Sequence, residues 1–577
     1  MANSYDDEDL KLAMALSLQQ SPVPKPCKAV VDLTSDNAGE ADDEDESLKK
    51  AIALSMQDMV RSSNTLTQQA AKSATSSASN PSAGTSFPMD RKAMEAERLA
   101  RLKERERKRR RTPSPDRPMK LQSKARAPAP VRDSTRLQPH SESALQYPRG
   151  AIKRTFATKF PRTDDVTIDE LLQASTVNIA VISSFQWDAE WLGRKLSHTK
   201  VKQHWIMNAR DAETQARWRK DLTGCGIPNL RINFPPMNAA VGNAHSKYML
   251  LVSDRKLRIV VSTANMEPVY WGEVENSWQP GVLENSVFLI DLPRRADGLV
   301  GSVHELTPFG KELVHFLEVQ GLDAQIVKGV LKFDFSETSQ LAFVHSIGTT
   351  SDTDAHPTGL PGLARAIQDL QLDRVKSIEF DYTASSLGAV DETFLQRICS
   401  AAQGLSYSAT SKTTNLGQNF RIYYPTEETI KSSIGGPDCA GVISLRKAHY
   451  SSSTFPVKCL RDYVSTRKGM ISHNKLLFAR GRQVDGKLFA WVYVGSANIS
   501  ESAWGAQKVL KSGKLGKLTM RNWECGVVVP VPSERLEGLQ LAEGEAPPMS
   551  VFEGTIEVPF QYPGEPYKGR TPWLQNS

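Results

Sequence analysis

The sequence predicts an α/β protein: two pseudo-symmetric halves, each a mixed β-sheet flanked by helices, following a long disordered N-terminal arm. Three observations lead there. Beyond about residue 150, near-continuous apolar runs (VNIAVISSF, KQHWIMNA, LRIVVSTAN, FAWVYVGSAN) alternate with amphipathic stretches such as WDAEWLGRKL, the pattern of strands covered on both faces. A chain of 577 residues exceeds what one ordinary core organises. And a His-x-Lys element at 245–247 returns 228 residues later, at 473–475, inside the same surrounding pattern.

The arm comes first. Residues 1–60 are acidic, with 12 acidic against 5 basic residues up to position 57, a net −7. Two copies of one pattern stand in it, DEDLKLAMALSLQQ (7–20) and DESLKKAIALSMQD (45–58). Leu10, Ala13 and Ser17 in the first copy, and Leu48, Ala51 and Ser55 in the second, fall on one helical face. There small Ala and Ser side chains allow close approach to a partner's apolar patch, and the leading acids suit the helix N-terminus. The pattern resembles the ubiquitin-interacting motif, which implies ubiquitin as partner. Between the copies, residues 29–36 read AVVDLTSD. Val30, Val31, Asp32 and Leu33 with a trailing acid resemble a SUMO-interacting motif, a short strand that adds to a sheet edge and implies SUMO as a second partner. Weak sites on one flexible arm gain strength through effective concentration.

Residues 61–145 are expected to be a linker. A Ser/Thr/Ala/Asn-rich tract, too poor in large apolar residues to offset the entropy of ordering, is followed by a charged helix that ends in Lys108-Arg109-Arg110-Arg111 before two prolines. Residues 91–124 carry 14 basic against 5 acidic residues, a net +9, and the basic block is read as a nuclear import signal. Nuclear localisation follows as an expectation. The start lacks the features of a secretory signal, and no stretch reaches the roughly 20 apolar residues of a membrane helix, so no membrane association is expected. The six cysteines lie far apart, without zinc or disulfide spacing, and are read as buried or idle thiols.

Two catalytic halves are expected at 146–355 and 356–577, joined by the polar stretch from Gly348 to Gly362. In each, His-x-Lys heads an apolar strand, a polar turn follows, and a second apolar strand closes on Asn265 or Asn498. The His-to-Asn spacing is 20 residues in one half and 25 in the other, a difference assigned to a longer hairpin turn. Residues i and i+2 of a strand share a face, so His245 points with Lys247, and His473 with Lys475. A lysine at the head of a buried strand needs an anionic partner. Two histidines, two lysines and two amides from pseudo-symmetric halves make a positive pocket suited to phosphate.

This duplicated element resembles the phospholipase D superfamily. Its third member is usually Asp; Asn in both halves is similar to the tyrosyl-DNA phosphodiesterase type I branch, as are SSFQWDAEWL, NFPPMN, GSANISESAWG, RNWECGV and TPW over about residues 150–577. The resemblance implies phospholipase D-like halves and a metal-free, cofactor-free hydrolase that cuts the 3′-phosphotyrosyl bond between DNA and a trapped topoisomerase I peptide. His245 would be the nucleophile, passing through a phosphohistidine, and His473 the general acid and then base. Lys247, Lys475, Asn265 and Asn498 would hold the phosphate oxygens, and Glu524 would orient a histidine. The family's acid before Trp271 is replaced by Tyr270, which leaves the orienter of His245 open among Glu267, Glu273 and a backbone carbonyl. A further family amide falls on Asn285, with Asn276 as the alternative. Ser385 and Ser386 are the expected phosphate contacts and Trp573 a groove wall, while Trp504 is read as core. The expected DNA is single-stranded or nicked with a 3′ adduct, and the catalytic unit is expected to be a monomer. A broader 3′-end phosphodiesterase on DNA or RNA, and a non-catalytic ubiquitin/SUMO adaptor, are the alternative readings.

Overall fold

The computed structural model describes residues 145–575 apart from 198, 225–228, 238–241, 274–282, 349, 352–354, 406–414, 508–511 and 513–515. The ubiquitin- and SUMO-type motifs, the basic block, Cys27, Cys225 and Asn276 lie outside these residues. The described residues all fall in one compact unit.

Two large sheets organise this unit. The first runs Asp165–Val166, Ala151–Thr155, Ser286–Pro293, Lys256–Ser262, Tyr248–Ser253, Val177–Ser183, Lys202–Ile206, Leu230–Asn233. The second runs Ala342–Ser346, Asn522–Pro530, Leu488–Gly495, Leu476–Gln483, Val375–Thr383, Phe420–Tyr424, Leu460–Asp462. From Ser286–Pro293 onward in the first sheet, and from Asn522–Pro530 onward in the second, the pairing senses repeat: three antiparallel, then two parallel. The pseudo-symmetry expected from His-x-Lys is thus a repeat of six strands. Ala342–Ser346 precedes the 355/356 boundary expected from sequence, yet it is hydrogen-bonded to Asn522–Pro530, so the chain has crossed to the second sheet before Ala342.

The apolar runs form these strands because they are buried on both faces. Lys256–Ser262 and Leu488–Gly495 are each buried at every position but the first, and two apolar cores draw side chains from both sheets. WDAEWLGRKL supplies the helix Ala189–Lys195, started by the Asp188 carboxylate accepting from the Trp191 amide. Cys399, Cys439, Cys459 and Cys525 are free and buried.

The hairpins after each His-x-Lys explain the unequal spacing. Strands of 6 and 7 residues flank the turn in the first half, and strands of 8 and 8 in the second. The added length lies in the strands as well as in the turn, where Gly486 takes a φ of +91°. Two further pairings stitch the halves together: Asn243–Ala244 runs parallel to Asn522–Trp523, and Ile471–Ser472 runs parallel to Leu283–Glu284. Each is the approach to a His-x-Lys histidine, held by a strand end of the opposite half.

Candidate active site

His-x-Lys sits on the approach to its strand and not within it: Tyr248–Ser253 begins after Lys247, and Leu476–Gln483 after Lys475. The extended backbone still alternates. Ser246 and Asn474 point away, Ser246 bonding to Ser183 at 2.9 Å and Asn474 accepting from Ser286 at 2.9 Å. Both lysines are fully buried, and each Nζ donates to the carbonyl of its own histidine at 2.7 Å. Neither meets a carboxylate. Burial pushes the Lys247 ammonium down to about 8, and burial together with the nearby Lys247 charge pushes Lys475 well below the usual lysine range.

The orienting groups cross between halves. His245 Nδ1 lies 2.8 Å and 3.0 Å from the two oxygens of Glu524, in the second half. His473 Nδ1 lies 3.0 Å from Asn285 Oδ1, in the first half. Sheet register shows that these two partners are equivalent. Ser262 N donates to Lys247 O, as Gly495 N does to Lys475 O; Val287 pairs with Ser262, as Gly526 does with Gly495. Asn285 and Glu524 each stand two residues before those pairs. The main chain repeats the exchange, with His245 N donating to Trp523 O at 3.0 Å and His473 N to Glu284 O at 2.8 Å.

This geometry resolves the place of Tyr270. It needs no acid for His245, because Glu524 supplies one from the other half. Instead Tyr270 sets its ring edge-on to His473, with centroids 4.8 Å apart, and gives its hydroxyl to Gln186 Oε1 at 2.7 Å. Of the other candidates, Glu273 accepts from Trp191 Nε1 and Lys195 Nζ, both at 2.7 Å, and does not bond His245. Burial, with Asp188 adding to it, raises the Glu267 carboxyl to about 7.

Tautomers follow from the partners. Asn285 Nδ2 donates to Tyr270 O, so its Oδ1 faces His473 and the His473 proton lies on Nδ1. Glu524, ionised and also accepting from Ser496 Oγ at 2.6 Å and Asn522 Nδ2 at 2.9 Å, fixes the His245 proton on Nδ1 in the same way. In each ring Nε2 is the nitrogen that the orienting partner does not use. Burial lowers the His245 pKa against the opposing pull of Glu524; burial and the charges of Lys475, Lys247 and His245 hold His473 well below the usual imidazole range.

The amides complete the pocket. Asn265 Nδ2 donates to Gln186 Oε1 at 2.9 Å, while its Oδ1 is buried without a partner. Asn498 Oδ1 accepts from Ser385 Oγ at 3.3 Å and the Ser386 amide at 3.0 Å, and Ser385 Oγ also accepts from Lys475 Nζ at 2.8 Å. Gln186 and Ser386 stand at the same offset beyond equivalent strands, Val177–Ser183 and Val375–Thr383. Gln186 and its neighbour Phe185, whose ring lies 5.2 Å from His245, were missed as site residues although both belong to SSFQWD. Trp573 joins the second half through its carbonyl, which accepts from Tyr424 at 2.9 Å, and its amide, which donates to Pro425 O at 3.0 Å; neither bond reaches the pocket. Trp504 is core, its Nε1 donating to Tyr382. Among the described residues no group of three or more His, Cys, Asp or Glu could hold a metal ion, and no helix is long and apolar enough to cross a membrane.

Known proteins share this chain's sequence pattern and fold. The family described as Tyrosyl-DNA phosphodiesterase matches residues 151–568, and the Ubiquitin interaction motif matches residues 6–21 and 43–59. A protein named Tyrosyl-DNA phosphodiesterase 1 from Arabidopsis thaliana is 26% identical over 393 residues, 64% of this chain and 60% of that relative. A probable tyrosyl-DNA phosphodiesterase from Caenorhabditis elegans is 23% identical over 340 residues, 56% of this chain and 66% of the relative. The chain thus spans less than two thirds of either relative's length. The crystal structure of the yeast tyrosyl-DNA phosphodiesterase shares the fold, with a TM-score of 0.53 and 19% identity, covering 74% of this chain and 100% of the yeast one.

Proposed function

The chain belongs to the tyrosyl-DNA phosphodiesterase family, and from that premise we propose that it hydrolyses the 3′-phosphotyrosyl bond between DNA and a trapped topoisomerase I peptide. The observation that carries the reading is the crossed, unequal pair of imidazoles: a carboxylate behind His245 and a neutral amide behind His473. Attack by His245 Nε2 on phosphorus forms an N–P bond while the bond to the tyrosine oxygen breaks. With Nδ1 still protonated, the phosphorylated ring is cationic, and Glu524 offsets that charge. His473 has the opposite task. It must give a proton from Nε2 to the leaving phenolate, whose conjugate acid has a pKa of about 10, and then take one from water. A neutral amide orients such a ring without holding it as a permanent cation. Burial, with the charges of the two lysines adding to it, keeps His473 neutral in the free pocket; the phosphodiester's negative charge is what lets it carry a second proton.

Water then attacks phosphorus, His473 Nε2 accepts its proton, the N–P bond breaks, and a 3′-phosphate end leaves with His245 restored. Lys247, Lys475, Asn265 and Asn498 stabilise the charge on the non-bridging oxygens, and Ser385, Ser386 and Trp573 contact the DNA strand. The arm recruits this activity. Its two ubiquitin-type motifs bind ubiquitin, Val30–Leu33 binds SUMO, and the basic block directs the protein to the nucleus, where repair of topoisomerase adducts takes place.

The test is metal-free cleavage of a 3′-phosphotyrosyl oligonucleotide. Wild type should release a 3′-phosphate end. His245→Ala should be inactive, and His473→Ala should accumulate a covalent protein–DNA adduct. No cleavage by wild type, or an adduct that forms with His245→Ala, would sink the reading.

A further inference from the structure

Glu524 does not hold His245 alone. Its Oε1 accepts from Asn522 Nδ2 at 2.9 Å; Asn522 Oδ1 accepts from Asn243 Nδ2 at 3.3 Å; and Asn243 Oδ1 accepts from the exposed Arg210 Nη2 at 2.8 Å. Every donor in this chain points the same way, so the amide dipoles align with their positive ends toward the carboxylate and a cation stands at the far end. The two asparagines come from opposite halves and face each other across the Asn243–Ala244/Asn522–Trp523 pairing.

The pseudo-symmetric pair shows that the fold does not require amides here. Behind His473, the positions equivalent to Asn243 and Asn522 are Ile471 and Leu283, paired in the same parallel register and both buried. The amide chain exists only where the orienting group is a carboxylate.

We propose that Asn522 and Asn243 are positioning residues that hold the Glu524 carboxylate in its place and charge state behind His245, so that the His245 ring stays neutral and aimed until phosphate arrives. The groups facing His245 are Glu524, Lys247, Lys475 and His473. The amide chain acts on the first of these, withdrawing part of its negative charge from the imidazole through hydrogen bonding. The proposal rests on His245 as the nucleophile, but its test does not need turnover.

The variants are Asn522→Asp and Asn243→Asp, near-isosteric changes that add negative charge along the chain and remove a donor. The His245 ring is titrated by NMR in the full-length protein labelled with ¹⁵N-histidine, its signals assigned by loss in His245→Gln. Asn522→Asp should raise the His245 midpoint by about one unit, and Asn243→Asp by less. The acid limb of kcat/KM on the tyrosyl oligonucleotide should move up with it, since His245 must be neutral to attack. If one variant fails to fold, the other decides. A midpoint equal to wild type in a folded variant overturns the proposal, as does an activity loss that is uniform with pH and tracks only melting. Failure of wild type to cleave the substrate would refute the functional reading, while the ring titration would still decide for or against the role of the amides.

Discussion

Lys247 and Lys475 are the pocket's unfinished business at the scale of single residues. Each is fully buried; Lys247 donates to its own histidine's carbonyl and lies 5.8 Å from the centre of the Phe185 ring, Lys475 donates to its histidine's carbonyl and to Ser385, and neither has a carboxylate in contact. A buried ammonium without an anion is costly, and the cost appears as the downward shift of Lys247 to about 8. In the proposed reaction a phosphodiester supplies the missing charge. The sign of the pH effect follows: below about 8 Lys247 is charged in the free protein and holds the anion, and above it the proton is lost and that hold weakens. kcat/KM should therefore fall as pH rises through 8, because it reports the free enzyme. kcat should hold to higher pH, since bound phosphate raises the lysine's affinity for its proton. Initial rates across pH with limiting and with saturating oligonucleotide separate the two; a kcat/KM that stays level through this range contradicts the assignment.

At the scale of elements, the strand Asn522–Pro530 carries the exchange, because it begins beside the first half and continues into the second sheet. Its alignment depends on glycine. At Gly526 an added Cβ would lie 2.1 Å from Tyr493 Cε2, since that ring folds over the Gly495–Gly526 pair. Gly526→Ala must displace a buried aromatic and should cost about 1–3 kcal/mol. It should also lower kcat through Glu524, two residues away, an effect that thermal melting and rates together would reveal; a variant matching wild type in both would show that the strand yields without consequence. Sequence made the elements legible but not their exchange. The His-x-Lys pair and both terminal asparagines were readable as types and spacings; Glu524 and Asn285 came only with the family resemblance, Asn285 with Asn276 as its alternative. That Glu524 serves His245 was not readable, because it depends on parallel pairings only two residues long between segments far apart in the chain. An acid near Tyr270 is expected only if each half orients its own histidine. Gln186 and Phe185 were hidden for a related reason: their likeness to Ser386 and Ser385 lies in strand offset and not in residue type.

For the whole molecule, the consequence is that neither half holds a complete site, so whatever holds the halves in register also sets the geometry of the two histidines. Behind His473 that task falls to a buried ionic cluster. Glu284, fully buried, pairs with Arg154 and accepts from Tyr463 at 3.1 Å and Ser465 at 2.8 Å, both in the second half. Arg154 also reaches Glu557 at 2.6 Å, and Arg467 returns to the first half through Thr155 O at 2.7 Å. Burial with the neighbouring Arg154 charge lowers the Arg467 pKa against the pull of Glu284 and of Asp165, whose carboxylate lies 3.3 Å from the Arg467 guanidinium. Neutralising the Glu284 carboxylate should be far costlier than losing a surface ion pair. Glu284→Gln keeps the shape, leaves Arg154 with only the exposed Glu557 as its anion, and should destabilise by about 3–5 kcal/mol. Because desolvation is the larger part of that cost, removing a cation as well should recover much of it: Arg154→Met in the Glu284→Gln background should be more stable than Glu284→Gln alone. Denaturant midpoints of wild type, both single variants and the double variant complete the cycle. A Glu284→Gln midpoint equal to wild type would mean that the halves are registered by their apolar cores alone, and that the cluster only fills the space between them.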